Sequence, residues 1–294
     1  MLQPGVKNMK KQRGFVLAAL ITFIFGTVSL IFLSYAVVQS KIQSNNDISN
    51  RQAYTDEIAA KVGLWYKNNL AAIDSGATPT EAQIIAGANL TVINGMRVMS
   101  SNLLPNGPIS YRIFVVWVPD VIPDLTTFNQ ATAVLTPPTP RHRFASSMYV
   151  GLPDEANAFN LTQKKLDSLA GALQTYAAAK MLNNSESNLK DYFRPDVCAS
   201  PQPGTIPCID SYQNINSAAI QIATGLSAVE LRDGWGNDFF GSNLVDSSTG
   251  VGDYSSACPA ASQPCASSPP YSMSIRVISP FGLTYKKIAI QSIQ

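Results

Sequence analysis

The chain has 294 residues, of which 46% are hydrophobic and only 14% charged, with a formal net charge of +2. That apolar share is enough to bury a real core and excludes a disordered chain, while Ser, Asn, Thr and Gln take over the surface that charged residues cover in an average soluble domain. Lys7, Lys10, Lys11 and Arg13 all precede the first acid, and the rest of the chain is slightly acidic. With no cluster of cations left to displace counterions from phosphate, nucleic acid is not an expected partner.

In chain order, a basic leader over residues 1–14 runs into Phe15 to Val38, a stretch with no charge. As a helix this stretch spans roughly 36 Å, enough to cross the ~30 Å hydrocarbon layer of a bilayer. Basic residues on its N-terminal side are expected to stay in the cytoplasm, which places everything after about residue 40 on the outer side. No second run of this kind follows. The expected protein is single-pass in the inner membrane, with a periplasmic C-terminal part. Signal-peptide cleavage after Ser34-Tyr35-Ala36 is a competing reading, although the apolar run is long for a signal-peptide core.

Met9-Lys10-Lys11-Gln12-Arg13-Gly14, followed by Phe15 and the apolar run, resembles the leader of type IV prepilins and type II secretion pseudopilins. The resemblance implies that a prepilin peptidase cuts between Gly14 and Phe15, that Phe15 is then N-methylated, and that the hydrophobic helix is kept as an assembly element. It also implies other pilin or pseudopilin subunits as partners, and an extracellular pilus as the final location of an assembled subunit. Met1 and Met9 are both available as the start. The family usually carries Glu at the fifth mature position, whereas this chain has Ala19. A carboxylate in a bilayer is retained where it has a partner or a job, so Ala19 points to a minor subunit rather than a bulk shaft subunit.

Residues 39–69 are expected to continue the helix. Proline is absent from Val6 through Thr78, and Tyr54, Ile58, Val62, Trp65 and Tyr66 fall on one helical face. Apolar heptads are too sparse between Lys41 and Ala53 for a coiled coil. A helix with one apolar face in this position suits the outer half of a pilin spine, packed against a globular head.

The exported part reads as two units, residues 70–155 and 156–294. In the first, Tyr111 to Val118 and Phe144 to Val150 are strand candidates, separated by the Pro-rich loop around Pro137 to Arg141. The neighbouring Arg141, His142 and Arg143 are expected to be solvated. In the second unit, Asn160 is expected to cap a helix in which Leu166, Leu169, Ala170, Leu173, Tyr176, Ala177 and Met181 recur at helical spacing up to Asn183. A short helix over Ala218 to Leu226 follows, then strands Tyr271 to Ile278 and Leu283 to Ile293 joined around Pro280-Phe281-Gly282. The expected fold class is α+β, with a long N-terminal helix and a head of helices packed on antiparallel sheet.

Asp233-Gly234-Trp235-Gly236-Asn237 resembles the Asp-x-Trp-Gly-Asn segment of pseudopilin and minor-pilin heads. By that resemblance it turns the chain into the sheet while Trp235 packs on the helix. The glycines suit the turn, Asp233 and Asn237 can satisfy backbone groups, and Trp235 can bury a large apolar area. Some heads of this family bind calcium, but Asp238, Asp246 and Asp253 do not form a calcium-loop spacing, so no metal ligand is assigned.

Cys198, Cys208, Cys258 and Cys265 all lie downstream of the membrane run, where an even count favours disulfides. Three connectivities are open. Local bridges from Cys198 to Cys208 and from Cys258 to Cys265 are the expected ones, since each closes a short loop. No phosphate loop or metal-ligand cluster stands out, and His142, the single histidine, sits beside a Pro-rich loop that makes a poor platform for a base. Neither catalysis nor a cofactor is expected. The leading expectation is a minor pilin or pilin-like subunit whose head is displayed for adhesion, secretion or DNA transfer. A membrane-tethered periplasmic component that never polymerises is the structural alternative, and an anchored hydrolase ranks lower for want of a site.

Overall fold

The computed structural model describes residues 7–93, 95–119, 124–137, 145–182, 193, 212–242 and 272–291. It is an α+β protein in which two antiparallel sheets each carry a long helix.

Helix α1 spans Lys7–Asn68. Its described side chains change character midway. Between residues 29 and 50 they are exposed apart from a half-buried Ile48, with Leu30 at 67% and Phe32 at 70% exposure. From Thr55 on, one face is buried: Ile58, Val62 and Tyr66 pack with Val98, Phe114, Val116 and Val118, while Tyr54 and Trp65 lie partly buried at the margin. Among the described residues no helix is long and apolar enough to cross a membrane. Side chains before Ser29 are not described.

After α1 come α2 (Leu70–Asp74) and α3 (Glu81–Gly87), the latter opened by a capping box in which Thr80 and Gln83 satisfy each other's backbone amides. The first sheet has the order β1-β4-β7, formed by β1 (Arg97–Ser100), β4 (Ile113–Val118) and β7 (Ala145–Val150). Two small hairpins branch from it, β2 (Leu104–Asn106) with β3 (Ile109–Tyr111), and β5 (Thr127–Asn129) with β6 (Val134–Thr136). Gly63 lets α1 approach β7: a Cβ there would lie 2.3 Å from the Tyr149 ring. The second face of β4 is covered as well, since Trp117 is buried and donates its indole N–H to Asp124 at 2.8 Å. Burial on both faces explains the unbroken apolar run of that strand.

Helix α4 (Leu152–Leu182) lies over the second sheet, order β11-β10-β9-β8. That sheet comprises β8 (Gln213–Asn214), β9 (Phe240–Ser242), β10 (Ser272–Ile278) and β11 (Thr284–Ile290). Leu166, Leu169 and Leu173 pack against Met273, Ile275, Val277 and Phe239. A short helix α5 (Ala218–Thr224) is capped by Ser217 and ends at Gly225 in the left-handed conformation.

Several boundaries differ from the sequence reading. Helix α4 begins at Leu152, well before Asn160. Its buried face in the first three turns is Glu155, Ala158 and Thr162, so the helical spacing is present but is written in polar and small residues that an apolar pattern overlooks. The expected strand Tyr111 to Val118 is broken at Arg112, which separates β3 from β4. The strand over Phe144 to Val150 begins at Ala145 among the described residues.

Candidate functional site

The five residues of the Asp233-Asn237 turn lie between α4 and the second sheet. Asp233 Oδ1 accepts the backbone amides of Trp235 (2.9 Å) and Asn237 (2.8 Å), and the amide of Asp233 donates to the Asn237 carbonyl at 2.8 Å. Gly236 adopts φ +91°, a conformation that favours glycine. Gly234 is pressed against α4. A Cβ there would lie 2.0 Å from the Ala158 carbonyl oxygen, and the Gly234 amide donates to Thr162 Oγ1 at 2.9 Å. Burial pushes the Asp233 carboxyl up, and the turn's hydrogen bonds pull it back.

This turn aims Trp235 into the junction between the two helix-and-sheet layers. Its ring stacks on Tyr285 of β11 at 5.9 Å and meets Phe281 edge-on at 5.8 Å. Its indole N–H donates to Glu155 Oε2 at 2.7 Å. Glu155, in the first turn of α4, thereby joins a buried polar node with Tyr66 from α1, Asp74 at the end of α2, and Arg112 between β3 and β4. All four are sealed from solvent, at 0 to 2% exposure.

Within the node, Tyr66 donates its hydroxyl proton to Asp74 Oδ2 at 2.6 Å, and Glu155 Oε1 lies 3.4 Å from the same hydroxyl. Arg112 Nε donates to Asp74 Oδ1 at 3.1 Å. The rest of the guanidinium fork is also used: Nη1 donates to Thr78 Oγ1 (3.2 Å) and the Ser101 carbonyl (3.1 Å), and Nη2 to the carbonyls of Gly76 (3.1 Å) and Ile73 (3.4 Å). A planar fork with five fixed donors suits such a site better than a lysine ammonium. The Asp74 and Glu155 carboxyls thus meet at one hydroxyl, close enough for each to act on the other's proton affinity. Burial, and then the neighbouring Asp74 carboxyl, push the Glu155 carboxyl up to about 8. Asp74 is also raised by burial, against the opposing pull of Glu155, Tyr66 and Arg112. Burial next to both carboxyls pushes the Tyr66 hydroxyl up.

Sealed in this way, the node is a structural coupling. It ties three elements of the first unit to the first turn of α4 and, through Trp235, to the second sheet. A supporting contact lies beside it, where the Tyr285 hydroxyl donates to the Pro108 carbonyl.

The other residues singled out in the sequence fall elsewhere. Gly14 and Phe15 sit within the backbone of α1, in the part whose side chains are not described. Cys198, Cys208, Cys258 and Cys265 lie outside the described residues, as do Arg141, His142 and Arg143. Asp238 pairs with Arg232 and accepts from Asn214 and Asn216, while Asp246 and Asp253 are outside the described residues. Among the described residues, no group of three His, Cys, Asp or Glu is placed to hold a metal ion.

Sequence reasoning missed Asp74, Arg112 and Glu155. One signal was available: Arg112 interrupts a run of β-forming residues, and a cation inside a buried run requires a carboxylate partner. No family model matches the chain, no curated protein matches it, and no solved structure matches it.

Proposed function

We propose that the chain is a minor pilin-like subunit, stored in the inner membrane by α1 and assembled through it into, or at the tip of, a type IV pilus or pseudopilus. The observation that carries this reading is the division of α1. Its far half packs on the first sheet, while its near half presents Leu30, Phe32, Leu33 and Tyr35 to solvent. Exposed apolar side chains in continuous array require a covering medium. Lipid before assembly, and the helices of neighbouring subunits after it, supply that cover in turn. The uncharged run from Phe15 and the basic leader ending at Gly14 support the same reading.

On this account prepilin peptidase removes residues 1–14, Phe15 becomes the methylated N-terminus, and the head is displayed for adhesion, secretion or DNA transfer. The head is exported, so Cys198, Cys208, Cys258 and Cys265 form disulfides. Ala19 in place of the family's usual Glu favours a minor subunit, and it is also the observation that favours the second reading, a periplasmic tether that never polymerises. The experiment that tests the proposal is a Gly14→Ala substitution in a host carrying a prepilin peptidase. The variant is expected to keep its leader and to be missing from sheared filaments that contain the native chain. A variant trimmed to the native mass contradicts peptidase cleavage at this junction.

A further inference from the structure

The buried node carries one positive charge and two carboxyl groups. If Asp74 and Glu155 were both ionised, Arg112 would neutralise one of them and leave a net negative charge in a site with no solvent. Burying an unpaired ion is strongly unfavourable, and a carboxyl group avoids that cost by keeping its proton. The donor count agrees. The single Tyr66 proton and the Arg112 Nε–H both go to Asp74, leaving Glu155 with the Trp235 indole as its close donor. A proton kept on Glu155 removes the uncompensated charge beside Asp74, where the two carboxyls meet at the Tyr66 hydroxyl.

We propose that this junction is a proton-held latch: one proton kept on the Asp74 and Glu155 pair seats α4 and the Trp235 turn on the first helix-and-sheet unit, and alkaline loss of that proton loosens the seat.

The groups facing Glu155 can be named element by element. Tyr66 faces it from α1, Asp74 from α2 and Arg112 from the bend between β3 and β4. Trp235 comes from the turn, and Tyr285 of β11 lies in the field of the Glu155 carboxyl. Just outside, Tyr149 of β7 donates to Asp154, and the Asp233 carboxylate is occupied by its own turn. None of these supplies a second cation to the pair.

The sign of the pH dependence follows. A carboxyl raised in the folded state contributes stability at low pH that is lost as pH rises through the folded value, here about 8. This is opposite to the usual ion-paired carboxylate. Between about pH 6 and pH 9 the folding equilibrium constant should fall by a factor on the order of a hundred from this pair.

The test uses the full chain in detergent micelles and a Glu155→Gln variant, in which a neutral amide takes the place of the protonated acid. Infrared spectroscopy of the native chain near pH 6 should show the carbonyl stretch of a protonated carboxylic acid that vanishes above about pH 9, and the variant should lack it. Thermal unfolding should weaken with rising pH in the native chain and stay flat in the variant. At about pH 9 the amides of Gly151, which donates to the Arg112 carbonyl at 2.9 Å, and of Trp235 should exchange faster in the native chain than in the variant, with equal rates near pH 6. Absence of the acid band in the native chain near pH 6 overturns the proposal, and does so even if the variant fails to fold. A variant with the native pH slope, or with native exchange rates at about pH 9, overturns it too.

Discussion

Arg112 offers the sharpest test of how the head is held together. Replacing it with Leu keeps a shorter apolar side chain at the position but removes a cation whose five donors serve the Asp74 carboxylate, Thr78 and the carbonyls of Ser101, Gly76 and Ile73. With Arg112 at 1% exposure, water cannot take over those contacts. Removing one partner of a buried ion pair costs about 3 to 5 kcal/mol, most of it from the charge left behind. For a unit of this size a loss of ~4 kcal/mol lowers the melting temperature by roughly 8 to 16 °C. Urea denaturation of the full chain in detergent, followed by near-ultraviolet circular dichroism, measures the loss. Adding Asp74→Asn to Arg112→Leu should restore part of it, because the stranded carboxylate is gone while the carbonyl acceptors remain unserved. Arg112→Leu costing under about 1 kcal/mol would refute the claim that this node is sealed and energetically committed.

Two further variants probe the turn. Trp235→Ala should cost about 3 to 5 kcal/mol through lost packing on Tyr285 and Phe281, whereas Trp235→Phe should cost only about 1 to 2 kcal/mol through the donor lost to Glu155; chemical denaturation of both, side by side, separates the packing share from the polar share. Gly234→Ala has no room against the Ala158 carbonyl, so it should destabilise by at least ~1 to 3 kcal/mol and shift α4 from the turn, which solution NMR of the Thr162 and Gly234 resonances can follow.

The helix-over-sheet layout was legible where apolar spacing is strong. Leu166, Leu169 and Leu173 mark the buried face of α4, and Ile58, Val62 and Tyr66 mark that of α1. What escaped was the polar half of the same faces. Glu155, Ala158 and Thr162 continue the α4 stripe at helical spacing, yet a pattern search keyed to apolar residues stops at Leu166 and places the start of the helix too late. The node itself was out of reach for a different reason. Asp74, Arg112 and Glu155 are each unremarkable locally, and their chemistry arises only because the bend between β3 and β4, the end of α2 and the start of α4 converge on Tyr66, bringing together residues far apart in the chain. The Asp233 turn was the opposite case. Its hydrogen bonds are local, closing between Asp233 and Asn237, so five consecutive residues carried the geometry.

The short connecting elements had weak sequence signals. The hairpins β2 with β3 and β5 with β6 use three-residue strands, too short for an alternating pattern to declare itself. Helix α3 was detectable in principle from Thr80 and Gln83, whose spacing is that of a capping box.

The central claim, that α1 is an assembly spine produced by leader cleavage, is tested most directly by mass spectrometry of the mature N-terminal peptide isolated from membranes. The expected result is a chain beginning at Phe15 with a methylated amine. A chain that begins at Met1 or Met9 would contradict it in favour of a simple anchor, and one that begins at Val37 would contradict it in favour of a secreted protein.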